Sequence, residues 1–420
     1  MSSDLHYSEA FVWIWLPGET KPVVAGKLSQ EGPSLLFNYG KSYLERPNAI
    51  PIYDKELPLK PGVLPLLTGL SMPNCLRDGA PDAWGRRVLI NRLLGLKCED
   101  AGNTSQLDEL TYLLKSGSDR IGALDFQHSA KEYVPRSAVN APLEELLAAA
   151  TLVEKGVPLT PELEQALHHG TSIGGARPKA LIENGDKKYI AKFSSGSDLY
   201  SVVKAEFISM RLAALAGLNV APVTMVQAAN KDVLLIGRFD RIHADDGWQR
   251  KAMVSALTLL GLDEMMARYA SYEDLAEIIR HRFKHASDTL RELFSRLVFN
   301  ILCGNTDDHA RNHAAFWDGE MLELTPAYDI CPQGRTGNEA TQAMLISGDN
   351  RMSQLSACLA AAHNFLLSAE KAQEIIEHQV SVIEENWMFV CDEANLSQTD
   401  RALFWKRQFL NEFAFQGYRK

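Results

Sequence analysis

The stretch Asn305-Thr306-Asp307-Asp308-His309-Ala310-Arg311-Asn312 decides how this sequence is interpreted. It follows the apolar segment 297–303, and the stretch Leu324-Thr325-Pro326-Ala327-Tyr328-Asp329 comes soon after it. Phosphoryl transfer needs few protein groups, chiefly a carboxylate that accepts the proton of the attacking hydroxyl and oxygen ligands for Mg²⁺. Kinases place these groups as an Asp, an Asn about five residues later and a second Asp roughly twenty residues further on. Asp307, Asn312 and Asp329 have that order and spacing.

A structural explanation of the same stretch also exists. Asp and Asn are common in turns and caps, so an Asp with an Asn soon after it also fits a polar helix end. Five polar residues follow the buried segment, and Tyr328-Asp329 lies downstream. These two features favour phosphoryl transfer over a simple cap.

A glycine-rich stretch, Gly170-Thr171-Ser172-Ile173-Gly174-Gly175-Ala176, leads into a predicted β-hairpin. Its strands are predicted at 176–183 and 187–193, joined by Asn184-Gly185, which is typical of two-residue hairpin turns. Small residues let backbone N–H groups approach phosphates, although an ordinary flexible loop would have the same composition. Lys192 lies on the return strand, where an inward ammonium is costly unless it is paired or faces a ligand.

A predicted helix at 201–216 follows this hairpin and carries Glu206. A Lys192–Glu206 ion pair would direct the ammonium toward ATP phosphates, and a solvated helix charge is the alternative for Glu206. A second hairpin is predicted at 223–228 and 233–239, and Gly237-Arg238-Phe239 ends it. Backbone groups of such a connecting strand are suited to hydrogen-bond an adenine ring.

Strand patterns dominate the first part of the chain and helical patterns dominate the last part. Short strands are predicted between residues 10 and 60, and helices at 143–154, 275–282, 289–303, 369–386 and 402–415. A lobe boundary is predicted near 240–250. The sequence therefore predicts an α+β, bilobal protein-kinase-like fold with an α/β N-terminal lobe and a mostly helical C-terminal lobe.

Composition restricts the function classes. The 420 residues carry a formal net charge of −10, which disfavours DNA binding by the bare chain, because phosphate contacts need concentrated Lys and Arg. The pair His168-His169 and His313 lack a third ligand at a helpful spacing, so polar roles are expected for them rather than a metal site. No basic leader and no stretch of about 18 apolar residues occurs, so we expect a cytoplasmic protein without a membrane partner.

The cysteines are expected to be reduced, small and buried rather than ligands of zinc, because none of the six forms a C-x-x-C pair. They are Cys75, Cys98, Cys303, Cys331, Cys358 and Cys391.

Together, the motifs resemble the HipA family of toxin kinases in order and spacing. They lie between about residues 170 and 330, and Gly122-Ala123-Leu124 is also similar to that family. The matching stretches are Ser172-Ile173-Gly174-Gly175-Ala176-Arg177-Pro178-Lys179, Ile190-Ala191-Lys192-Phe193, Arg238-Phe239-Asp240-Arg241, Gly304 to Asn312 and Pro326-Ala327-Tyr328-Asp329. The resemblance implies a two-lobed kinase fold, divided into an N-terminal β-rich subdomain (1–125), a kinase N-lobe (126–245) and a helical C-lobe (246–420).

The resemblance also implies roles for single residues. Asp307 is expected to be the catalytic base, Asn312 and Asp329 are expected to bind Mg²⁺, and Lys192 is expected to contact phosphates. The other residues expected to bind ATP are Gly174, Gly175, Ala176, Arg177, Pro178, Lys179, Gly237, Arg238, Phe239, His309, Ala310 and Arg311, together with Asn312.

A regulatory site is implied at Ser172, because HipA-like kinases autophosphorylate a Ser at this place in the motif. Thr171 is a neighbouring competitor for the modification. The alternative is that Ser172 only hydrogen-bonds its own loop, as turn serines often do.

Members of this family are neutralised by a small HipB-like DNA-binding antitoxin, and some phosphorylate aminoacyl-tRNA synthetases. The resemblance therefore implies an ATP- and Mg²⁺-dependent Ser/Thr protein kinase that inhibits growth and reaches DNA only through the antitoxin. Two other functions stay open: a small-molecule or lipid kinase, and a catalytically silent nucleotide-binding co-repressor with a DNA-binding partner. All expected catalytic positions are filled, which argues against the silent form.

Overall fold

The computed structural model describes residues 6–94, 107–136, 141–167, 175–196, 198, 200–335 and 337–418. Thr171, Ser172, Gly174, Cys98 and the pair His168-His169 lie outside the described residues. The chain divides into two compact units. Unit 1 comprises Met1–Asp198, Val226–Val254 and Trp317–Glu320, and unit 2 comprises Leu199–Met225, Ser255–Phe316 and Met321–Lys420. The division at 125 and 245 stays a prediction.

An antiparallel five-stranded sheet in unit 1 contains the strands predicted for the first 60 residues. Its strands are β1 (Glu9–Ile14), β2 (Val23–Glu31), β3 (Ser34–Tyr39), β4 (Val63–Leu64) and β5 (Leu124–Gln127), in the order β4-β3-β2-β1-β5. Every second side chain of β3 is buried, as expected for a sheet with one covered face. The helices of this part are α1 (Lys41–Leu44), α2 (Asn74–Arg77), α3 (Ala83–Leu94) and α4 (Glu109–Lys115).

A four-stranded sheet contains the two predicted hairpins. Its strands are β6 (Lys179–Asn184), β7 (Lys187–Phe193), β8 (Val223–Ala228) and β9 (Lys231–Gly237), in the order β6-β7-β9-β8. Helices α5 (Leu143–Glu154) and α6 (Pro161–Leu167) and helix α3 share a core with it that includes Ala191 and Phe193. Because Ala191 and Phe193 face this core, Lys192 between them points to the opposite face of the sheet. A short hairpin of β10 (Arg241–Ala244) and β11 (Gly247–Arg250) follows.

Unit 2 is mostly helical, as predicted. Its helices are α7 (Val202–Leu215), α8 (Ala256–Leu259), α9 (Tyr272–Arg282), α10 (Ala286–Cys303), α11 (Leu355–Ala361), α12 (Ala369–Glu393) and α13 (Gln398–Phe404). Helix α10 packs against α9, α11 and α12, and the apolar residues of its second half are fully buried.

Short elements complete the fold. A sheet in the order β12-β13-β14 comprises β12 (Met253–Ser255), β13 (Ala314–Trp317) and β14 (Leu322–Leu324). Turns of 3-10 helix lie at Glu264–Tyr269, Ala310–Asn312, Ala362–Phe365 and Glu412–Phe415. The chain contains both sheets and helices, and the strand pairs of its five-stranded sheet are antiparallel, so the α+β class is confirmed. Among the described residues, no helix is both long and apolar enough to cross a membrane.

The predicted helix at 402–415 is wrong. Helix α13 ends at Phe404, and Lys406 and Leu410 have positive φ angles of 62° and 51°. A left-handed backbone cannot continue a right-handed helix. The apolar spacing of this stretch arises instead from Phe409 and Phe413, which are buried from separate turns.

Candidate active site

The loop after α10 begins with a sharp change of direction. Helix α10 ends at Cys303, and the next residue, Gly304, has a left-handed φ of +73° that turns the chain out of the helix. An added Cβ at Gly304 would lie 2.8 Å from the backbone oxygen of Gln408, so packing also requires glycine here. The backbone N–H of Asn305 then donates to the backbone oxygen of Asn300 (2.8 Å), and their side chains share a hydrogen bond of 2.9 Å. The base of the loop is therefore fixed just before Asp307.

Asp308 is a structural carboxylate beneath this loop. Its buried side chain accepts a hydrogen bond from the Tyr272 hydroxyl and lies 3.1 Å from Nε2 of His313. Burial alone would raise the pKa of Asp308, but His313 and the hydrogen bond from Tyr272 hold it below its usual value. An ionised Asp308 thus ties the loop to α9 and to the residue before β13. Tyr272 and Asp308 carried no signal of this role in the sequence.

Asp307 lies at the exposed tip of the same loop. Partial burial removes water from the Asp307 carboxylate and raises its pKa. The negative charges of Asp329 and Asp308 also raise this pKa, whereas His309 lowers it. An accessible carboxylate that is more basic than usual is suited to accept a proton. Asp308 cannot take this role because its oxygens are buried and engaged.

Asn312 contacts Asp307, and the carboxylate of Asp329 is close enough to act on the charge of Asp307. The carboxamide nitrogen of Asn312 donates to the backbone oxygen of Asp307 (3.2 Å). The carboxamide oxygen of Asn312 takes no part in this bond. Asp329 has a left-handed φ of +59°, which Asp tolerates better than most residues. The Tyr328 hydroxyl donates to the backbone oxygen of Arg311 (2.8 Å) and holds this segment against the loop. The structure therefore brings together the Asp, Asn and Asp that the spacing singled out.

The residues between Asp307 and Asn312 shape the loop. Ala310 is buried, and the backbone oxygen of His309 accepts from the N–H of Asn312 (2.8 Å). The Arg311 side chain forms an ion pair with Glu264, with Nε 2.8 Å from Oε1. The guanidinium is thus directed toward the 3-10 turn Glu264–Tyr269.

The predicted phosphate-binding lysine lies in unit 1 beside a second buried lysine. Lys192 on β7 and Lys179 on β6 are directly opposite each other, and they are only 9% and 1% exposed. Nearby, Arg177 forms an ion pair with Asp198 (2.7 Å). Glu206 on α7 in unit 2 is 2% exposed, so its interpretation as a solvated charge is wrong. The Lys192–Glu206 pair stays a prediction.

The predicted adenine strand is anchored by a buried charge cluster that the sequence did not indicate. The charge cluster consists of Asp119, Lys188, Arg238, Asp240 and Arg241. Arg238 and Arg241 each bind Asp119 Oδ1 (2.9 Å) and Asp240 Oδ2 (2.8 Å), and Lys188 binds Asp119 Oδ2 (2.8 Å). The Arg238 side chain therefore turns into the protein, while its backbone N–H donates to the oxygen of Lys188 (2.8 Å).

Electrostatics in the charge cluster favour ionised carboxylates. Burial alone would raise the pKa of Asp119, but Arg238, Arg241 and Lys188 hold it well below its usual value. Burial would also raise the pKa of Asp240, but Arg238 and Arg241 outweigh it and lower this pKa to about 2. Asp240 also accepts from the backbone N–H of Gly122 (2.8 Å). The charge cluster thus joins the residues after β9 to the segment before β5.

Among the described residues, no three His, Cys, Asp or Glu side chains converge on a common point where they could hold a metal ion. The described cysteines are buried, which agrees with their expected role as small buried side chains.

Comparisons with known proteins match both parts of the chain. Two family models fit, the HipA N-terminal domain over residues 15–127 and the HipA-like C-terminal domain over residues 171–387. A putative kinase, Y4mE, of Sinorhizobium fredii is 24% identical over 339 residues, which cover 76% of each chain. The serine/threonine-protein kinase toxin HipA of Shewanella oneidensis is 27% identical over 186 residues, which cover 38% of this chain and 42% of that protein.

A solved structure has a similar fold. It is a chain of the toxin–antitoxin complex of HipA, HipB and operator DNA from Shewanella oneidensis MR-1. The alignment covers 97% of this chain and 95% of that chain, with a TM-score of 0.67 and 19% sequence identity. The two chains therefore share a fold, and the bilobal kinase-like class predicted from the sequence is confirmed at that level.

Proposed function

The chain belongs to the HipA family, and we propose that it is a protein kinase that uses ATP and Mg²⁺ to phosphorylate a Ser or Thr hydroxyl. The observation that carries this proposal is the loop after α10. There the exposed carboxylate of Asp307, whose pKa is raised, lies near Asn312 and Asp329. The names of the two relatives as kinases support it. Phosphoryl transfer needs few protein groups, and this loop contains a candidate base and two candidate Mg²⁺ ligands.

Asp307 is the proposed general base. Its carboxylate takes the proton of the attacking hydroxyl while the hydroxyl oxygen bonds to the γ-phosphorus and the bond to the β–γ bridging oxygen breaks. The products are a phosphorylated hydroxyl and ADP. The raised pKa of Asp307 supports this role, because proton transfer is most efficient when the pKa of the base approaches the working pH.

Asn312 and Asp329 are the proposed Mg²⁺ ligands, through the carboxamide oxygen and the carboxylate. Both are hard oxygen donors, and Mg²⁺ usually has few protein ligands beside waters and phosphates. When bound, Mg²⁺ would neutralise charge on the transferred phosphoryl group.

The nucleotide is proposed to bind through Lys192, the segment 174–179 and backbone groups of 237–239. Lys192 and Lys179 leave the same face of this sheet, where their two ammonium groups would supply positive charge for the phosphates of ATP. Gly174 lies outside the described residues, and its part in this binding rests on the motif alone.

Ser172 is the proposed autophosphorylation site. A phosphate would add about −1.5 to −2 charges next to the phosphates of ATP. Repulsion should then weaken ATP binding and switch the kinase off. Ser172 lies outside the described residues, so this proposal rests on its position two residues before Gly174.

A HipB-like antitoxin is the proposed partner, and a protein, such as an aminoacyl-tRNA synthetase, is the proposed target. The structure with the similar fold comes from a complex with HipB and operator DNA. The net charge of −10 supports contact with DNA through a basic partner rather than directly. A cytoplasmic location follows from this proposal, because the antitoxin and its operator lie there.

Incubation of the purified chain with Mg²⁺ and γ-labelled ATP, alone and with a cell lysate, tests the proposal. We expect label on Ser172, located by mass spectrometry, and on one protein of the lysate. Label confined to lipids or small molecules would replace the proposal with a different kinase class. Bound nucleotide without any transfer would instead favour the silent co-repressor.

A further inference from the structure

The start of α3 is bonded to both ends of the segment 175–179. The Trp84 backbone N–H donates to the backbone oxygen of Gly175 (3.3 Å), and its indole N–H donates to the backbone oxygen of Lys179 (3.0 Å). Asp82 Oδ1 caps α3, because it accepts from the N–H groups of Trp84 (3.1 Å) and Gly85 (3.3 Å). Its other oxygen, Oδ2, lies 3.7 Å from Nζ of Lys179. Residues 82–84 thus contact both the backbone of the segment 175–179 and the charged side chain of Lys179.

Lys179 is packed into the protein rather than extended toward solvent. The residue is 1% exposed, and Trp84 is fully buried beside it. An added Cβ at Gly175 would lie 2.3 Å from Nζ of Lys179, and Gly175 has a φ of +104°. The ammonium therefore lies against the backbone of Gly175, where only glycine leaves room for it. A buried ammonium is strongly favoured by a nearby carboxylate, and Asp82 supplies one.

Asp82 also affects the lysine on the neighbouring strand. Lys179 and Lys192 are partners across the antiparallel pair of β6 and β7, so their side chains leave the same face of the sheet. Like charges in this arrangement repel. By holding the ammonium of Lys179 against Gly175, Asp82 fixes one of the two charges in place. The position of Lys192 relative to the segment 175–179 then becomes better defined.

We infer that Asp82 and Trp84 are positioning residues that fix the segment 175–179 for nucleotide binding. This inference rests on the proposed function, in which that segment binds ATP. Asp82 and Trp84 lie in the part matched by the HipA N-terminal domain, whereas Lys179 lies in the part matched by the HipA-like C-terminal domain. In this inference, the N-terminal domain contributes to nucleotide affinity through the contacts of Asp82 and Trp84 with the segment 175–179.

Asp82→Asn separates the two roles of Asp82. Asn is as good a helix cap as Asp, so the hydrogen bonds to Trp84 and Gly85 survive while the charge facing Lys179 is lost. The matched control is Asp108→Asn, because Asp108 caps α4 in the same unit by accepting from Thr111 N–H (2.7 Å). We expect Asp82→Asn to raise the Kd and the KM for Mg-ATP about tenfold, with kcat within about twofold of the wild type. Asp108→Asn should leave all three unchanged.

A double-mutant cycle tests whether Asp82 acts through Lys179. Lys179→Met should raise the Kd for Mg-ATP as Asp82→Asn does, and the double variant should be no worse than either single variant. Trp84→Phe keeps the ring but loses the indole N–H, and should raise the Kd by a smaller factor. Additive effects of Asp82→Asn and Lys179→Met would overturn the pairing.

Calorimetry with Mg-ATP and thermal unfolding of each variant distinguish the possible failures. A wild-type chain that binds no Mg-ATP would overturn the proposed function and this inference together. A wild type that binds, with an Asp82→Asn variant that binds equally well, would overturn only this inference. Parallel losses of kcat, affinity and Tm in Asp82→Asn would show a general structural role and would also overturn it.

Discussion

Replacing Asp240 with Asn should destabilise unit 1 through the charge cluster. The Asp240 carboxylate accepts from Arg238 Nε (2.9 Å), from the Arg241 guanidinium (2.8 Å) and from Gly122 N–H (2.8 Å). An Asn side chain has one acceptor oxygen and one donor nitrogen, so an N–H group would face an arginine donor. Two buried guanidinium groups would then share Asp119 as their remaining carboxylate in the charge cluster.

The size of the effect follows from two estimates. The ordinary pKa of 3.8 falls to about 2 in the folded chain. A lowering of that size corresponds to roughly 2–3 kcal/mol of stability at neutral pH. Removing one partner of a buried ion pair typically costs about 3–5 kcal/mol. Since Asn retains some hydrogen bonds, we expect a loss of about 3 kcal/mol and a decrease in Tm of roughly 6–12 °C.

The pH dependence gives the sharper assay. Because the folded pKa of Asp240 is lowered, its contribution to stability is present above about pH 4 and is lost as the pH falls toward 2. The difference in unfolding free energy between the wild type and Asp240→Asn should therefore shrink across that range. Asp246→Asn, a change at an exposed carboxylate that accepts from Thr20, serves as the control and should cost less than about 0.5 kcal/mol. Equal stability of Asp240→Asn and the wild type at pH 7 would refute the reasoning.

Three further predictions follow from the loop and the composition. Gly304→Ala places a Cβ at a left-handed φ and 2.8 Å from the backbone oxygen of Gln408, so it should lower the free energy of unfolding by about 2–4 kcal/mol. Thermal unfolding checks this, and an unchanged Tm would contradict it. Asn312→Ala and Asp329→Ala should each weaken nucleotide binding only when Mg²⁺ is present; calorimetry with and without the metal checks this, and an unchanged metal dependence would place the metal elsewhere. The chain alone should bind operator DNA weakly at physiological salt and gain affinity with a basic partner in a mobility-shift assay; tight sequence-specific binding by the chain alone would contradict this.

Local features of the site were predictable from the sequence because they are encoded within a few residues. The apolar spacing of α10, the glycine at its end and the polar stretch that follows indicate a helix that delivers a loop. The order of Asp307, Asn312 and Asp329 then indicates the chemistry. In the structure, the hydroxyl of Tyr328, the residue before Asp329, donates to the backbone oxygen of Arg311, the residue before Asn312.

Long-range partners were not predictable. Tyr272 and His313 lie on either side of Asp308 in sequence, and nothing in their spacing shows that they meet beneath the loop. The pairing of Asp119 with Arg238 joins residues that are 119 positions apart. The spacing singles out Asp307, but only burial shows that its neighbour Asp308 is a structural carboxylate. Likewise, the predicted helix at 402–415 failed because apolar periodicity does not reveal the left-handed residues that interrupt it.

The rate of γ-phosphate transfer by Asp307→Asn tests the central claim most directly. The Asn side chain has the same shape but cannot accept the proton, so we expect the transfer rate to fall by about 10²–10⁴ while the Kd for Mg-ATP stays near the wild-type value. Asp349→Asn, at an exposed carboxylate outside the loop, should transfer phosphate at the wild-type rate. An Asp307→Asn variant that retains wild-type turnover would contradict the assignment of Asp307 as the base.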